Sequence, residues 1–213
     1  MEVAIVQYNA GNIYSVVNAL KRLGVTPVVT DSPDELTAAD RVLFPGQGEA
    51  RQAMTYLREH ALDRVIRDLR QPVLGICIGQ QLMCRHSEEG DTECLGIFPV
   101  DVKRFRPEQH EDKVPHMGWN EVDGRGIMDN GQWIMDKGRW KGVDPLMEGL
   151  GEHPYVYFVH SFYVPVCEFT TATTDYIVPF SAALHKDNFY ATQFHPEKSG
   201  AVGERILRNF LEI

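Results

Sequence analysis

The chain opens on four consecutive apolar residues, Val3, Ala4, Ile5 and Val6. An uninterrupted run of that kind predicts a strand buried on both faces, as in a parallel sheet covered by helices. After a turn at Asn9-Ala10-Gly11-Asn12 the period changes. Ile13, Val16, Val17, Leu20 and Leu23 recur at helical spacing, and Gly24 is placed to stop the helix. Residues 25–30 predict a second strand, and Ser32-Pro33 reads as an N-cap followed by proline at the first helical position. Residues 41–44 predict a third strand, running into Pro45-Gly46-Gln47-Gly48. Ala53, Met54, Leu57, Leu62, Val65, Ile66 and Leu69 continue a helical stripe up to Pro72, where a fourth strand begins. Strand and helix thus alternate four times in about 85 residues, which predicts an α/β fold with a central, mostly parallel sheet and helices on both faces.

The second half changes character. Residues 101–105, 119–122, 155–159, 176–185 and 189–194 predict strands, some joined by tight turns such as Lys186-Asp187-Asn188, so an antiparallel extension of the sheet is expected. Val202, Ile206, Leu207, Phe210 and Leu211 mark a closing amphipathic helix. No Ser/Gly-rich linker or charge block interrupts the chain, so residues 1–213 are expected to form a single domain. One stretch stands apart. Ile127-Met128-Asp129-Asn130-Gly131-Gln132-Trp133 is followed at once by Ile134-Met135-Asp136-Lys137-Gly138-Arg139-Trp140, a tandem near-duplication with a turn signal in each copy. Two copies are too few for a solenoid. An insertion around residues 124–142, forming a strand-and-turn excursion outside the sheet, is expected instead.

Composition narrows the class. Hydrophobic content of 43% and charged content of 24% are those of a globular protein, and the net charge of −9 disfavours nucleic acid or an anionic membrane as partner. The N-terminus carries no basic leader pattern, and no apolar run approaches the length of a membrane span. Cysteines stand at 77, 84, 94 and 167, with no C-x-x-C pair, so neither a zinc site nor a disulfide framework is indicated. A cytoplasmic protein without metal or cofactor is expected.

The chemistry concentrates at Gly75-Ile76-Cys77-Ile78-Gly79. Pro72 to this point reads as a strand, and Gln80, Gln81, Leu82 and Met83 are helix formers. The pentapeptide is the cysteine counterpart of G-x-S-x-G, a sharp strand-to-helix turn that lifts a nucleophile clear of the sheet. Taken alone it also fits a buried, inert cysteine that ends a strand. A nucleophile needs a base and the base an orienter. Phe194-His195-Pro196-Glu197-Lys198 lies between the last strand and the last helix, at the edge where open α/β sheets place their sites. In extended chain His195 and Glu197 would point the same way.

These residues, with Pro45-Gly46-Gln47-Gly48 before them, resemble the class I glutamine amidotransferases over nearly the whole chain. More finely, the chain is similar to the glutaminase subunits of imidazole glycerol phosphate synthases. Residues 75–81 with Ser87-Glu88-Glu89-Gly90, Pro115-His116-Met117-Gly118-Trp119-Asn120, Tyr157-Phe158-Val159-His160-Ser161 and His195-Pro196-Glu197-Lys198-Ser199 carry that likeness, the second most specifically. The resemblance implies a flavodoxin-like three-layer sandwich that hydrolyses L-glutamine through a thioester on Cys77. It implies His195 as base and acid, Glu197 as its orienter, and the N–H groups of Gly48 and Ile78 as oxyanion donors. Gly46, Gln81, Glu89, Ser161 and Phe162 would bind the substrate. Asn12, Trp119, Tyr157 and Lys198 would meet a cyclase partner, a (β/α)8 barrel that forms a heterodimer with the glutaminase. That partner would use the ammonia to make imidazole glycerol phosphate and aminoimidazole carboxamide ribotide. The chain departs from the family's pattern at its first loop, at Gln47 where valine is usual, and at Phe162 where tyrosine is common. An amidotransferase subunit of another pathway, such as anthranilate synthase, and a catalytically silent scaffold are the rival readings.

Overall fold

The four apolar runs of the first half all become strands of one sheet, with the helical stripes laid across its faces. The computed structural model describes residues 1–8, 13–46, 48–124, 143–151 and 153–213, and between them the backbone of four short strands. The first half runs β1 (Val3–Val6), α1 (Ile13–Arg22), β2 (Val28–Thr30), α2 (Pro33–Ala38), β3 (Arg41–Phe44), α3 (Ala50–Glu59), α4 (Leu62–Asp68), β4 (Val73–Ile76) and α5 (Ile78–Met83). Next come β5 (Cys84–Ser87), β6 (Thr92–Glu93), β7 (Phe98–Arg104) and β8 (His116–Glu121). The two-residue strands β9 (Met128–Asp129), β10 (Gln132–Trp133), β11 (Met135–Asp136) and β12 (Arg139–Trp140) follow. The chain closes with β13 (Tyr155–His160), β14 (Phe162–Tyr163), β15 (Thr170–Tyr176), β16 (Val178–Lys186), β17 (Phe189–Thr192) and α6 (Gly200–Glu212).

The central sheet has the order β15-β16-β17-β4-β3-β1-β2. From β17 to β2 every pair is parallel, whereas β16 and β15 are added antiparallel. Counting only the parallel strands, the order is 2-1-3-4-5, that of flavodoxin-like doubly wound sheets. The continuous apolar run of β1 now has its reason. Ala4 and Val6 enter one core with Leu36, Phe44 and Leu57, while Val3 and Ile5 enter the other with Leu20, Leu74 and Phe210. A period-2 strand between two helical layers needs apolar residues at every position.

Several elements differ from the sequence pattern, each for a local cause. The apolar stripe of residues 53–69 is two helices, because Ala61 takes a left-handed conformation (φ 55°) between α3 and α4. Only residues 28–30 of the expected second strand pair with β1. The expected strand 176–185 is split at Ile177 (φ 59°), where the chain reverses so that Tyr176 pairs with Val178. β15 has the sequence Thr-Thr-Ala-Thr-Thr-Asp-Tyr, too polar to register as an apolar run. Within the duplicated heptads β9 pairs with β10 and β11 with β12, both antiparallel, and among the described residues neither pair joins the central sheet. An excursion of strands and turns was expected there. The packing of its tryptophans lies outside the described residues.

Candidate active site

Cys77 sits between β4 and α5 with φ 55° and ψ −108°, a conformation that costs a non-glycine residue roughly 1–3 kcal/mol. The neighbouring glycines make it possible. A Cβ on Gly79 would fall 1.9 Å from the Phe44 carbonyl oxygen, and one on Gly75 would fall 2.9 Å from the backbone carbon of Gly79. The helix start therefore packs directly on the strand end, and the sharp turn raises the sulfur to the sheet's C-terminal edge. Cys77 N–H donates to Thr192 O at 2.7 Å, tying the elbow to β17. Two weak contacts hold the sulfur. Its thiol donates to Val159 O at 3.8 Å, and Gln193 Nε2 donates to Sγ at 3.7 Å.

His195 leaves the end of β17 and is pinned by its backbone, its N–H donating to Tyr157 O (2.9 Å) and its carbonyl accepting from Ser199 Oγ (2.6 Å). Its Nδ1–H donates to Glu197 Oε1 at 2.7 Å, both side chains being buried. Glu197 reaches the ring from a single 3-10 turn, Pro196–Lys198, rather than from extended chain. Burial alone would pull the imidazole's pKa down. The Cys77 sulfur, by charge and hydrogen bonding, and then Glu197 outweigh burial and raise it to about 10. Nε2 is buried and makes no well-formed hydrogen bond among the described residues, although ring and sulfur are close enough to interact.

Cys77 and His195 open into a cleft of about 480 Å³ that also receives Gly48, Ile78, Gln81, Glu89, Ser161 and Phe162. Tyr157 and Lys198 stand on the same wall. Gln81 Nε2 donates to Phe162 O (2.9 Å) and to Gln193 Oε1 (3.0 Å). Glu89 accepts from the Ala50 N–H at 2.9 Å; burial raises its pKa, the Ala50 bond opposes that, and Glu49 adds to the rise. Gly48 has φ +140° and open space where a side chain would be. Gly46 lies beneath the cleft, where a Cβ would collide with Ile78 Cγ2 and the Tyr8 hydroxyl. Trp119 is 56% exposed and edge-on to Tyr157, outside the cleft. Asn12 and Gln47 lie outside the described residues.

Sequence reasoning missed three groups. Gln193, just past the end of β17 and two residues before His195, touches the nucleophile, and its place next to the His195 motif was the available signal. Tyr8 donates to Pro45 O at 2.5 Å and so anchors the loop that carries Gly48. His160 lines the cleft and pairs with His116. Only the fold brings these together. No metal-type cluster and no helix long and apolar enough to cross a membrane occurs among the described residues.

The chain matches the family model described as glutamine amidotransferase class-I over residues 4–213. It is 62% identical over 213 residues to imidazole glycerol phosphate synthase subunit HisH of Bacteroides thetaiotaomicron, covering all of both chains. To the subunit of the same name from Idiomarina loihiensis it is 41% identical, covering 100% of this chain and 98% of that one. A solved glutamine amidotransferase superposes with a TM-score of 0.68 at 16% identity, covering 98% of this chain and 97% of that one, a likeness of fold alone.

Proposed function

This chain belongs to the class I glutamine amidotransferases, and we propose that it acts as the glutaminase subunit of an imidazole glycerol phosphate synthase. The observation that carries the reading is the buried His195–Glu197 pair beside an elbow cysteine that opens into a cleft. Hydrolysis follows from that arrangement. His195, whose raised pKa favours the imidazolium, holds the proton drawn from Cys77 on Nε2, and the sulfur attacks the side-chain amide carbon of glutamine. The N–H groups of Ile78 and Gly48 meet the oxyanion, and His195 returns its proton to the departing ammonia. The remaining thioester is opened by a water that His195 deprotonates. Glutamate leaves and the thiol is restored. Glu197 holds Nδ1–H, so that Nε2 faces the sulfur throughout.

Gln81 and Glu89 take the substrate's α-ammonium, and the backbone at Ser161 and Phe162 takes its carboxylate. All 213 residues form one glutaminase domain, working in the cytoplasm without cofactor. The partner is a cyclase with a (β/α)8 barrel, docked over Asn12, Trp119, Tyr157 and Lys198 so that ammonia passes directly to it. The glycines flanking Gln47 allow more than one peptide orientation. Partner binding would select the orientation that supplies the Gly48 donor.

The test is glutamine hydrolysis by the complex, compared with that of Cys77→Ala. The variant should lose glutamine-dependent synthesis, while the cyclase still runs on ammonium salts. Near wild-type hydrolysis by the variant would overturn the assignment of Cys77.

A further inference from the structure

Two buried histidines stand opposite each other on β8 and β13, in register as His116 and His160. Antiparallel partners in register share a face, and here His116 Nδ1 and His160 Nε2 are 3.0 Å apart. Their surroundings are aromatic. His116 is stacked on Tyr176 and Phe158, and His160 packs against Phe105 and Phe180. Burial in this box lowers the pKa of His116 to about 4 and that of His160 to about 3, so both rings are neutral near pH 7.

A neutral imidazole has one donor and one acceptor. That rule fixes every proton in the chain. His160 Nδ1 lies 2.7 Å from Phe162 O, which only accepts, so Nδ1 carries the hydrogen. His160 Nε2 must then accept, and His116 Nδ1 must donate to it. His116 Nε2 is left as an acceptor, facing Asn120 Nδ2 at 3.4 Å. The Asn120 amide is itself oriented, with Oδ1 accepting from Glu121 N (2.8 Å) and Nδ2 donating to Asp175 O (3.1 Å).

At the other end, Phe162 O accepts from both His160 Nδ1 and Gln81 Nε2, which uses both lone pairs. The second Gln81 amide hydrogen goes to Gln193 Oε1, whose own Nε2 donates to Cys77 Sγ. Gln81 therefore has its two donors committed to the protein and its oxygen left over as an acceptor. A flipped Gln81 would set oxygen against two oxygens.

We propose that His116 and His160 are positioning residues of the glutaminase site. They fix the Phe162 carbonyl and, through it, the orientation of the Gln81 amide, so that an acceptor is presented to the α-ammonium of glutamine. This rests on the glutaminase reading above. It also gives the histidines of the two subfamily motifs a task that catalysis itself leaves unassigned.

Asparagine and glutamine separate this role from packing, since an Asn amide reaches the imidazole Nδ1 position and a Gln amide the Nε2 position. In the complex with the cyclase, His160→Asn keeps a donor for Phe162 O, whereas His160→Gln and His160→Phe do not. KM for glutamine should rise at least about tenfold in the Gln and Phe variants, with kcat changing less than KM. The Asn variant should stay within about threefold of wild type. Equal KM values in all three variants would overturn the proposal. A second measurement needs no activity and no variant. Long-range 1H–15N spectra of the 15N-labelled protein at pH 7 should show both imidazoles as the Nδ1–H tautomer. An Nε2–H tautomer or an imidazolium at His160 would also overturn it. Absence of glutaminase activity in the wild-type complex, with those tautomers observed, would instead sink the glutaminase reading.

Discussion

His195 Nδ1 donates to Glu197 Oε1 at 2.7 Å, and the two side chains are 2% and 3% exposed. A buried imidazole would ordinarily give up its proton readily. Here the Cys77 sulfur and then Glu197 reverse the effect of burial and lift the pKa to about 10. A folded pKa above the unfolded value of about 6.5 means that the bound proton stabilises the fold fully below that value. The contribution is lost as pH rises through about 10. Cys77→Ala removes an upward cause, so His195 should titrate lower there than in wild type. Imidazole proton shifts followed by NMR would show this, and an unchanged pKa in Cys77→Ala would contradict it. Glu197→Gln should also reduce kcat by roughly 10²–10⁴-fold, since the orienting acceptor is lost.

Elbow Gly79 should tolerate alanine less well than loop Gly48. A Cβ at Gly79 would sit 1.9 Å from a backbone oxygen, which has no room to withdraw. Gly79→Ala should therefore cost on the order of 3 kcal/mol or more, or prevent folding. Gly48 faces open space, so Gly48→Ala carries only the backbone strain of φ +140°, about 1–3 kcal/mol. Thermal melts of the two variants decide the matter. A Gly79→Ala protein as stable as wild type would mean that the helix does not pack on β3 as described.

Lys198 follows Glu197 directly, lines the cleft, and holds its ammonium 6.0 Å from the Tyr157 ring centroid. A contact of that kind contributes about 0.5–1 kcal/mol at an exposed site. Lys198→Ala should shift the melting temperature little and reduce partner-stimulated glutaminase activity much more. Unchanged binding and stimulation would refute the docking role.

The duplicated segment 127–140 starts seven residues beyond Asn120 on β8, and its described strands pair as β9 with β10 and β11 with β12. Deleting it separates a packing role from a docking role. Lost stability with unchanged affinity for the cyclase places the tryptophans on this domain. Lost affinity in a stable domain makes the segment part of the interface. If neither quantity moves, both roles fail.

The sequence by itself determined the elements whose burial is two-sided or strictly periodic. Val3–Val6 and Arg41–Phe44, short apolar runs bounded by turn signals, read as interior strands, and the 3.6-residue stripes of α1 and α6 as helices packed on one face. It also pointed to the elbow, through the Gly75 and Gly79 spacing around Cys77, and the close approaches at those glycines bear out one tight turn. Local pattern carried less at Ala61 and Ile177, where a left-handed residue breaks an apolar run that has no glycine to announce it. The strand β15 gave no signal, since its threonines are paired by neighbours rather than driven inward by hydrophobicity.

The site required the tertiary structure for a different reason. Gln193 meets Cys77 across 116 positions of chain, and His116 meets His160 across 44. Hydrogen bonds of that span depend on where two elements cross, which no window of residues encodes. Even the tautomers of the histidine pair follow from the Phe162 carbonyl, an acceptor brought to His160 by the turn from β13 to β14. Chemistry-bearing residues could be named from the chain. Their protons could be placed only once the fold had assigned each one a partner.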